Sequence, residues 1–103
     1  MERIPKIKEL LQLNPADSFL QHALGLEYIK LGNDDEARVL FEELLSREPT
    51  YVGSYYHLAK LLERNNKTDE AIRVYEKGME EAKMAGEKLA YNELRAAWEE
   101  LTF

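Results

Sequence analysis

Apolar residues recur at helical spacing along the first half of this 103-residue chain. Leu24, Tyr28 and Leu31 follow one another at i, i+4 and i+7, which places their side chains on one face of a helix. Gly32 and Asn33 then interrupt the pattern, and glycine suits the left-handed residue that ends a helix. The pattern therefore predicts a helix that ends at this turn.

A second helix is predicted directly after the turn. We expect Asp34 to cap it, with Asp35 and Glu36 in its first turn, where acidic side chains favour the helix dipole. Pro49 should end this helix, because a proline disfavours helix in the residue before it. One face of this helix is apolar and carries Ala37, Leu40, Phe41, Leu44 and Leu45.

The same plan recurs further along the chain. A first helix carries Tyr55, Leu58, Ala59 and Leu62, and a second carries Ala71, Ile72, Tyr75 and Met79. Asn65 and Asn66 mark the turn between them, and Thr68 is expected to cap the second helix. No proline closes this unit, so the helix should run on toward Ala85 before Gly86 breaks it.

A period of 34 residues relates the two units. Residues 18–51 align with residues 52–85 at this offset, and the agreeing positions lie at helical spacing. Identical pairs are Leu24/Leu58, Asp35/Asp69, Glu36/Glu70, Ala37/Ala71 and Glu42/Glu76. The chain therefore predicts two copies of a two-helix unit.

Both flanks fit the same period. At the amino end, residues 3–13 correspond to a second helix without its first, because Ile7 falls where Phe41 falls. At the other end, residues 87–101 occupy the place of a third first helix, with Asn92 and Glu93 at the positions of Leu24 and Gly25. We interpret this last segment as a capping helix, since the terminal repeats of a solenoid need a polar outer face.

These residues resemble the tetratricopeptide repeat (TPR), whose pattern is W-x₂-L-G-x₂-Y, then A-x₃-F, then P. The first unit offers Leu24, Gly25, Tyr28, Ala37, Phe41 and Pro49, with Gln21 in place of the tryptophan. The second offers Tyr55, Leu58, Ala59, Leu62, Ala71 and Tyr75, with Lys83 in place of the proline. The resemblance implies an all-α, TPR-like helical-repeat solenoid of about two full repeats with flanking helices, in a single domain over residues 1–103.

The resemblance also implies where a partner would bind, because in TPR-like folds the first helix of each pair lines a concave groove. The predicted groove residues are Phe19, His22, Leu26 and Ile29 on the first such helix, Tyr56, His57 and Lys60 on the second, and Tyr91 on the third. Whether the third helix lines the groove or caps the second repeat stays open. As a groove helix it would present Glu87, Ala90, Tyr91, Leu94 and Trp98, whereas as a cap it would dock through the stripe of Tyr91, Leu94, Trp98 and Leu101. Some TPR-like domains hold a peptide carboxylate with several groove cations, whereas here Lys60 is the fixed cation inside the predicted groove, so this mode is not favoured.

The apolar residues Phe19, Leu26 and Ile29 lie opposite the packing face of their own helix. A helix that is apolar nearly all round needs cover on both sides. The cover could come from the orphan helix over residues 3–13, from a second copy of the chain, or from a partner. The function is therefore predicted as a protein-interaction module for a peptide or helix, with a self-associating homodimer as the alternative.

Charge and composition narrow the classes of ligand and site that the chain could have. The chain has 14 basic and 20 acidic residues and a net charge of −6, which argues against nucleic acid as the ligand. It contains no cysteine, so disulfides, thiol nucleophiles and cysteine-ligated metals are excluded. No apolar run approaches the roughly 20 residues of a membrane span, and no secretory signal is recognised, so no membrane partner and a cytoplasmic location are expected.

Catalysis is not expected. The chain holds no HExxH, phosphate-binding glycine loop or GxSxG motif. His22 and His57, with Glu63 nearby, leave a small metal-dependent enzyme as an unfavoured alternative, because two histidines without a clear third ligand make a weak metal site. We therefore expect no enzymatic activity, no cofactor and no metal.

Overall fold

A computed structural model of the protein describes residues 3–103, which form α-helices and no strand. The helices are α1 (Arg3–Leu13), α2 (Ser18–Lys30), α3 (Asp34–Arg47), α4 (Gly53–Arg64), α5 (Thr68–Ala85) and α6 (Lys88–Thr102). The predicted all-α class and the pairing of helices are confirmed. Within residues 3–103, no helix combines the length and the apolar composition needed to cross a membrane.

The described residues form two compact units, one ending at Glu48 and one spanning Pro49–Phe103. The division falls close to the predicted boundary between the repeats, after residue 51. That the two repeats and their flanking helices act as one domain stays a prediction.

In the first unit, α2 packs against both α1 and α3. Its core consists of Ile7 from α1, Leu24, Gly25 and Tyr28 from α2, and Ala37, Phe41, Leu44 and Leu45 from α3, all of them buried. Leu31, predicted on the same apolar face, is instead 42% exposed because it is the C-cap residue that follows the end of α2. Gly32 follows with a φ of +79°, the left-handed turn expected there.

Gln21, which stands where the TPR pattern has tryptophan, is buried in a polar cluster at the ends of α2 and α3. The Arg47 guanidinium donates to the Gln21 side-chain oxygen at 2.8 Å and to Oγ of Ser18 at 2.9 Å. The Ser18 hydroxyl in turn donates to the Glu48 carboxylate at 2.5 Å. Hydrogen bonds to charged groups thus replace the aromatic packing that the repeat pattern places at this position.

In the second unit, α5 packs against both α4 and α6. Gly78 lies at the centre of this packing, because a Cβ atom added there would come 2.7 Å from Cβ of Tyr55 on α4 and 3.1 Å from Cδ1 of Leu94 on α6. The absence of a side chain at residue 78 therefore lets both neighbouring helices approach α5 closely. The Tyr55 hydroxyl donates a hydrogen bond to the Pro49 carbonyl at 2.7 Å. Burial raises the pKa of Tyr55 to about 12, and the nearby carboxylates of Glu81 and Glu80 contribute to this shift.

The two predicted helix caps are wrong. α3 begins at Asp34 and α5 at Thr68, so Asn33 and Lys67 are the N-cap residues, and neither makes a side-chain capping hydrogen bond. The preceding turns explain the difference. The amide of Asn33 donates to the Tyr28 carbonyl at 2.8 Å. In the same way, the amide of Lys67 donates to the Leu62 carbonyl at 2.8 Å. These turn hydrogen bonds hold residues 33 and 67 in place, one residue before the predicted caps.

The last helix is shifted from the predicted register. The alignment at 34 residues placed Leu94 on the groove face, but Leu94 is only 1% exposed and packs against α5, so that prediction is wrong and Leu94 instead docks the helix, as the apolar stripe indicated. Leu94 lies 36 residues after Leu58, and at this offset the buried Ala97 corresponds to the buried Leu61. The connection into α6 is thus two residues longer than the repeat period, and two residues turn a helix by about 200°.

Candidate functional site

An open hollow of about 510 Å³ lies between α4 and α6 in the second unit, and we call it the α4–α6 hollow. Its walls are Tyr56, His57 and Lys60 from α4 and Glu93, Ala96, Ala97 and Glu100 from α6. The α6 residues recur at i, i+3, i+4 and i+7, so they share one face of that helix. The two alanines leave the space, because larger side chains at the middle of this face would fill it.

Three of the predicted groove residues meet in this hollow. Tyr56, His57 and Lys60 all line it, and all are half-buried. Tyr91 does not: it lies at a smaller, mostly apolar hollow of about 180 Å³ with residues from the end of α5, among them Ala82. The two-residue shift of α6 explains this placement. At an offset of 36 residues, Tyr91 corresponds to the buried Tyr55 of α4, which packs in the core and does not face the hollow.

The α6 wall was missed by sequence reasoning. Glu93, Ala96, Ala97 and Glu100 replace the residues that the 34-residue alignment placed opposite α4. The predicted docking stripe of this helix already carries the correct register. Tyr91, Leu94 and Trp98 follow the aromatic-x₂-Leu-x₃-aromatic spacing of the repeat's first helix, two residues later than the period predicts.

Lys60 is held at the wall of the hollow by two neighbours on its own helix. Its Nζ lies 3.6 Å from Oε2 of Glu63 and 5.6 Å from the centre of the Tyr56 ring. The same Glu63 carboxylate accepts a short hydrogen bond from the buried Tyr75 hydroxyl, and burial together with this bond raises the pKa of Tyr75. Glu63 therefore connects the core of the unit to Lys60 and provides it with a carboxylate partner.

His57 adds no fixed charge to the hollow at neutral pH. Burial lowers the pKa of His57 below its usual value, which favours the neutral imidazole. Its ring meets the Tyr56 ring edge to face, with the centroids 5.6 Å apart. The charges that line the hollow are thus those of Lys60, Glu93 and Glu100.

The other predicted groove residues lie on α2 in the first unit. Phe19 is 69% exposed, whereas His22, Leu26 and Ile29 are half-buried. The His22 ring meets the buried Phe41 ring edge to face at 5.6 Å, so it contacts the core of the unit. The orphan helix α1 packs on α2, where Arg3 pairs with Glu27 at 3.3 Å, yet it leaves Phe19 exposed.

The described part of the chain shows no cluster of side chains that could bind a metal ion. Among residues 3–103, no three His, Cys, Asp or Glu side chains are placed to hold a metal ion together. His22 belongs to the first unit and His57 to the second.

The family model described as "Tetratricopeptide repeat" matches residues 28–97, which is more than half of the chain. This chain belongs to the tetratricopeptide repeat family. The TPR fold generally mediates protein–protein interactions, and TPR domains as a family are generally non-catalytic.

Solved structures agree with the assignment. A tetratricopeptide repeat domain protein from Salinibacter ruber, solved by solution NMR, shares 44% sequence identity with this TPR chain. The two structures superpose with a TM-score of 0.81, and the match covers 84% of this chain and 88% of that one. A protein from Bordetella parapertussis shares the fold at 22% identity, with a TM-score of 0.83, over 96% of this chain and 86% of that one.

A mammalian enzyme carries a similar segment. Aspartyl/asparaginyl beta-hydroxylase from Mus musculus is 34% identical over 74 residues, which are 72% of this TPR chain and 10% of the hydroxylase. The chain thus spans about a tenth of the length of the curated relatives that it matches.

Proposed function

We propose that this TPR chain is a non-catalytic protein-binding module that docks a peptide or helix of a partner protein in the α4–α6 hollow. The observation that carries the proposal is the hollow itself. It opens between the first helix of the second repeat and the helix that follows that repeat, and it combines aromatic, charged and small side chains. Docking of a short segment against such a surface is a common mode of peptide recognition.

The side chains of the hollow suit this role. Tyr56 offers a large ring and a hydroxyl, the combination that frequently anchors interfaces. Ala96 and Ala97 leave a depression for a partner side chain, and the charged groups stand at its rim. A partner would therefore gain apolar contact at the middle and polar contact at the edge, the arrangement typical of protein interfaces.

A steric block of the hollow tests the proposal. Peptides are first selected from a displayed random library against the immobilised chain. Their affinities are then measured for Ala96→Trp, which fills the hollow from an exposed position on α6, and for Ala16→Trp, an exposed alanine outside it. We expect Ala96→Trp to weaken the selected peptides at least tenfold and Ala16→Trp to leave them unchanged. Equal binding by both variants would place the binding surface elsewhere.

Self-association is a second candidate, and Phe19 is the observation that favours it. A phenylalanine that is 69% exposed beside Leu26 and Ile29 on α2 is a liability for an isolated chain. A second copy covering this face of the first unit would remove that exposure.

A further inference from the structure

We propose that the α4–α6 hollow selects a basic partner segment, whose lysine or arginine side chains pair with Glu93 and Glu100. This inference rests on the proposed function, because it names the chemistry of the partner that docks there.

Acidic groups outnumber basic groups in the lining of the hollow. Lys60 already has a carboxylate partner in Glu63. Glu93 and Glu100 form no ion pair with any residue of the described range 3–103. With His57 neutral, the hollow is lined by two carboxylates and by one ammonium group that is already paired, so the site favours an incoming cation over an incoming anion.

The spacing of the two glutamates suits a segment that carries two basic side chains. Glu93 and Glu100 are seven residues apart on one face of α6, which separates them by about 10 Å along the helix axis. Ala96 and Ala97 lie between them. A peptide in polyproline II conformation advances about 9 Å in three residues and completes one turn, so basic side chains at positions i and i+3 share a face and can reach both carboxylates.

The apolar part of the hollow fits the stems of such side chains. Lysine and arginine bury their methylene groups on apolar surface while the charged end stays at the rim. The two alanines and the Tyr56 ring provide that surface, and the ring face also attracts a cation, as Lys60 already shows at 5.6 Å. An acidic partner would instead meet two carboxylates of its own sign.

The test uses three synthetic peptides that differ only in charge. Each has nine residues of alanine, glycine and serine, with two arginines, two glutamines or two glutamates placed three residues apart. Each is titrated into the isotope-labelled full chain at low salt, with amide NMR shifts as the readout. We expect the arginine peptide to shift amides of residues 56–60 and 93–100, to bind roughly three- to thirtyfold more tightly than the glutamine peptide, and to weaken as salt is added.

A charge-matched pair of variants separates the two glutamates from the overall charge of the chain. Glu93→Gln with Glu100→Gln should remove the preference for arginine over glutamine. Glu9→Gln with Glu43→Gln changes the net charge equally at exposed carboxylates of the first unit and should keep the preference. If both pairs lose it alike, or if the glutamate peptide binds as tightly as the arginine peptide, the inference is overturned.

The outcomes also distinguish this inference from the proposed function. If all three peptides shift the hollow to the same extent, the hollow binds peptides without selecting cations, and only the inference fails. If none of them shifts the hollow and Ala96→Trp leaves the selected peptides bound, both fail together.

Discussion

Gly25 on α2 lies directly beneath the ring of Phe41 on α3. A Cβ atom added at residue 25 would come 2.6 Å from Cζ of Phe41, closer than real Cβ contacts allow. Phe41 has no exposed surface, so its ring cannot move outward without disturbing the core of the unit. The glycine is therefore a packing requirement of the first repeat, and its backbone conformation is ordinary helix.

A larger residue at this crossing should destabilise the protein. We expect Gly25→Leu to lower the free energy of unfolding by about 1–3 kcal/mol or more, and Ala37→Leu, at a position without exposed surface, to do the same. Urea unfolding followed by circular dichroism measures both. Gly53→Ala is the control, because nothing lies within 4 Å of an added Cβ there. Unchanged midpoints for both leucine variants would contradict the close helix crossing.

Two leucines of α6 should differ sharply although they are only five residues apart. Leu94 is 1% exposed and packs on α5, so Leu94→Ala should cost about 2–5 kcal/mol of stability. Leu89 is 74% exposed, so Leu89→Ala should stay within about 0.5 kcal/mol of the native chain. Chemical unfolding of the two variants side by side checks the register of α6. A larger loss at Leu89 would restore the 34-residue alignment.

This register marks the limit of what the sequence predicted. Helix order, the turns at Gly32 and Gly86 and the packing of Phe41 followed from apolar spacing, because each residue meets neighbours within its own helix pair. For α6 the apolar spacing and the 34-residue period disagreed about Leu94, and the choice between them depends on how far the chain advances between α5 and α6. An advance of two residues rotates the helix by about 200°, which turns Glu93 toward α4.

The caps were missed for a different reason. Asn33 and Asp34 are adjacent, and both suit an N-cap by side-chain chemistry. The choice between them is made by the backbone hydrogen bond of the preceding turn, which runs from Asn33 to Tyr28 and is not encoded in residue type at either position. The residue preferences for turns and caps therefore predict where the turn lies, but they do not predict which residue is the N-cap of the next helix.

Removal of the last helix should disrupt the second unit. We expect deletion of residues 87–103 to give an aggregate or a molten chain, because α6 packs along α5 and covers Gly78 with Leu94. Thermal melting by far-ultraviolet circular dichroism, with light scattering for size, gives the answer. A truncated chain that stays monomeric and melts sharply would show that α6 is not needed as a cover.

Stability should fall at alkaline pH through Tyr55. Its pKa is raised from 10.0 to about 12, so the folded chain favours the neutral phenol. The stabilisation is complete below pH 10 and is lost as the pH rises from 10 toward 12. Tyr55→Phe loses the hydrogen bond to Pro49 at every pH, but its unfolding midpoint should fall less between pH 9 and 11 than that of the native chain. Equal alkaline losses in the two proteins would contradict a role for this phenol.

The exposed apolar face of α2 should mediate any self-association. Phe19 is 69% exposed beside the half-buried Leu26, and two aspartates there would place charge on the surface that a second copy must cover. If the chain self-associates, light scattering should give a mass near twice 12.0 kDa that falls on dilution, and Phe19→Asp with Leu26→Asp should return the monomer while leaving helicity nearly intact. Leu13→Asp with Val39→Asp is the control, since both residues are exposed elsewhere in the first unit. A dimer that survives the Phe19 and Leu26 changes but not the control pair would move the interface away from this face of α2.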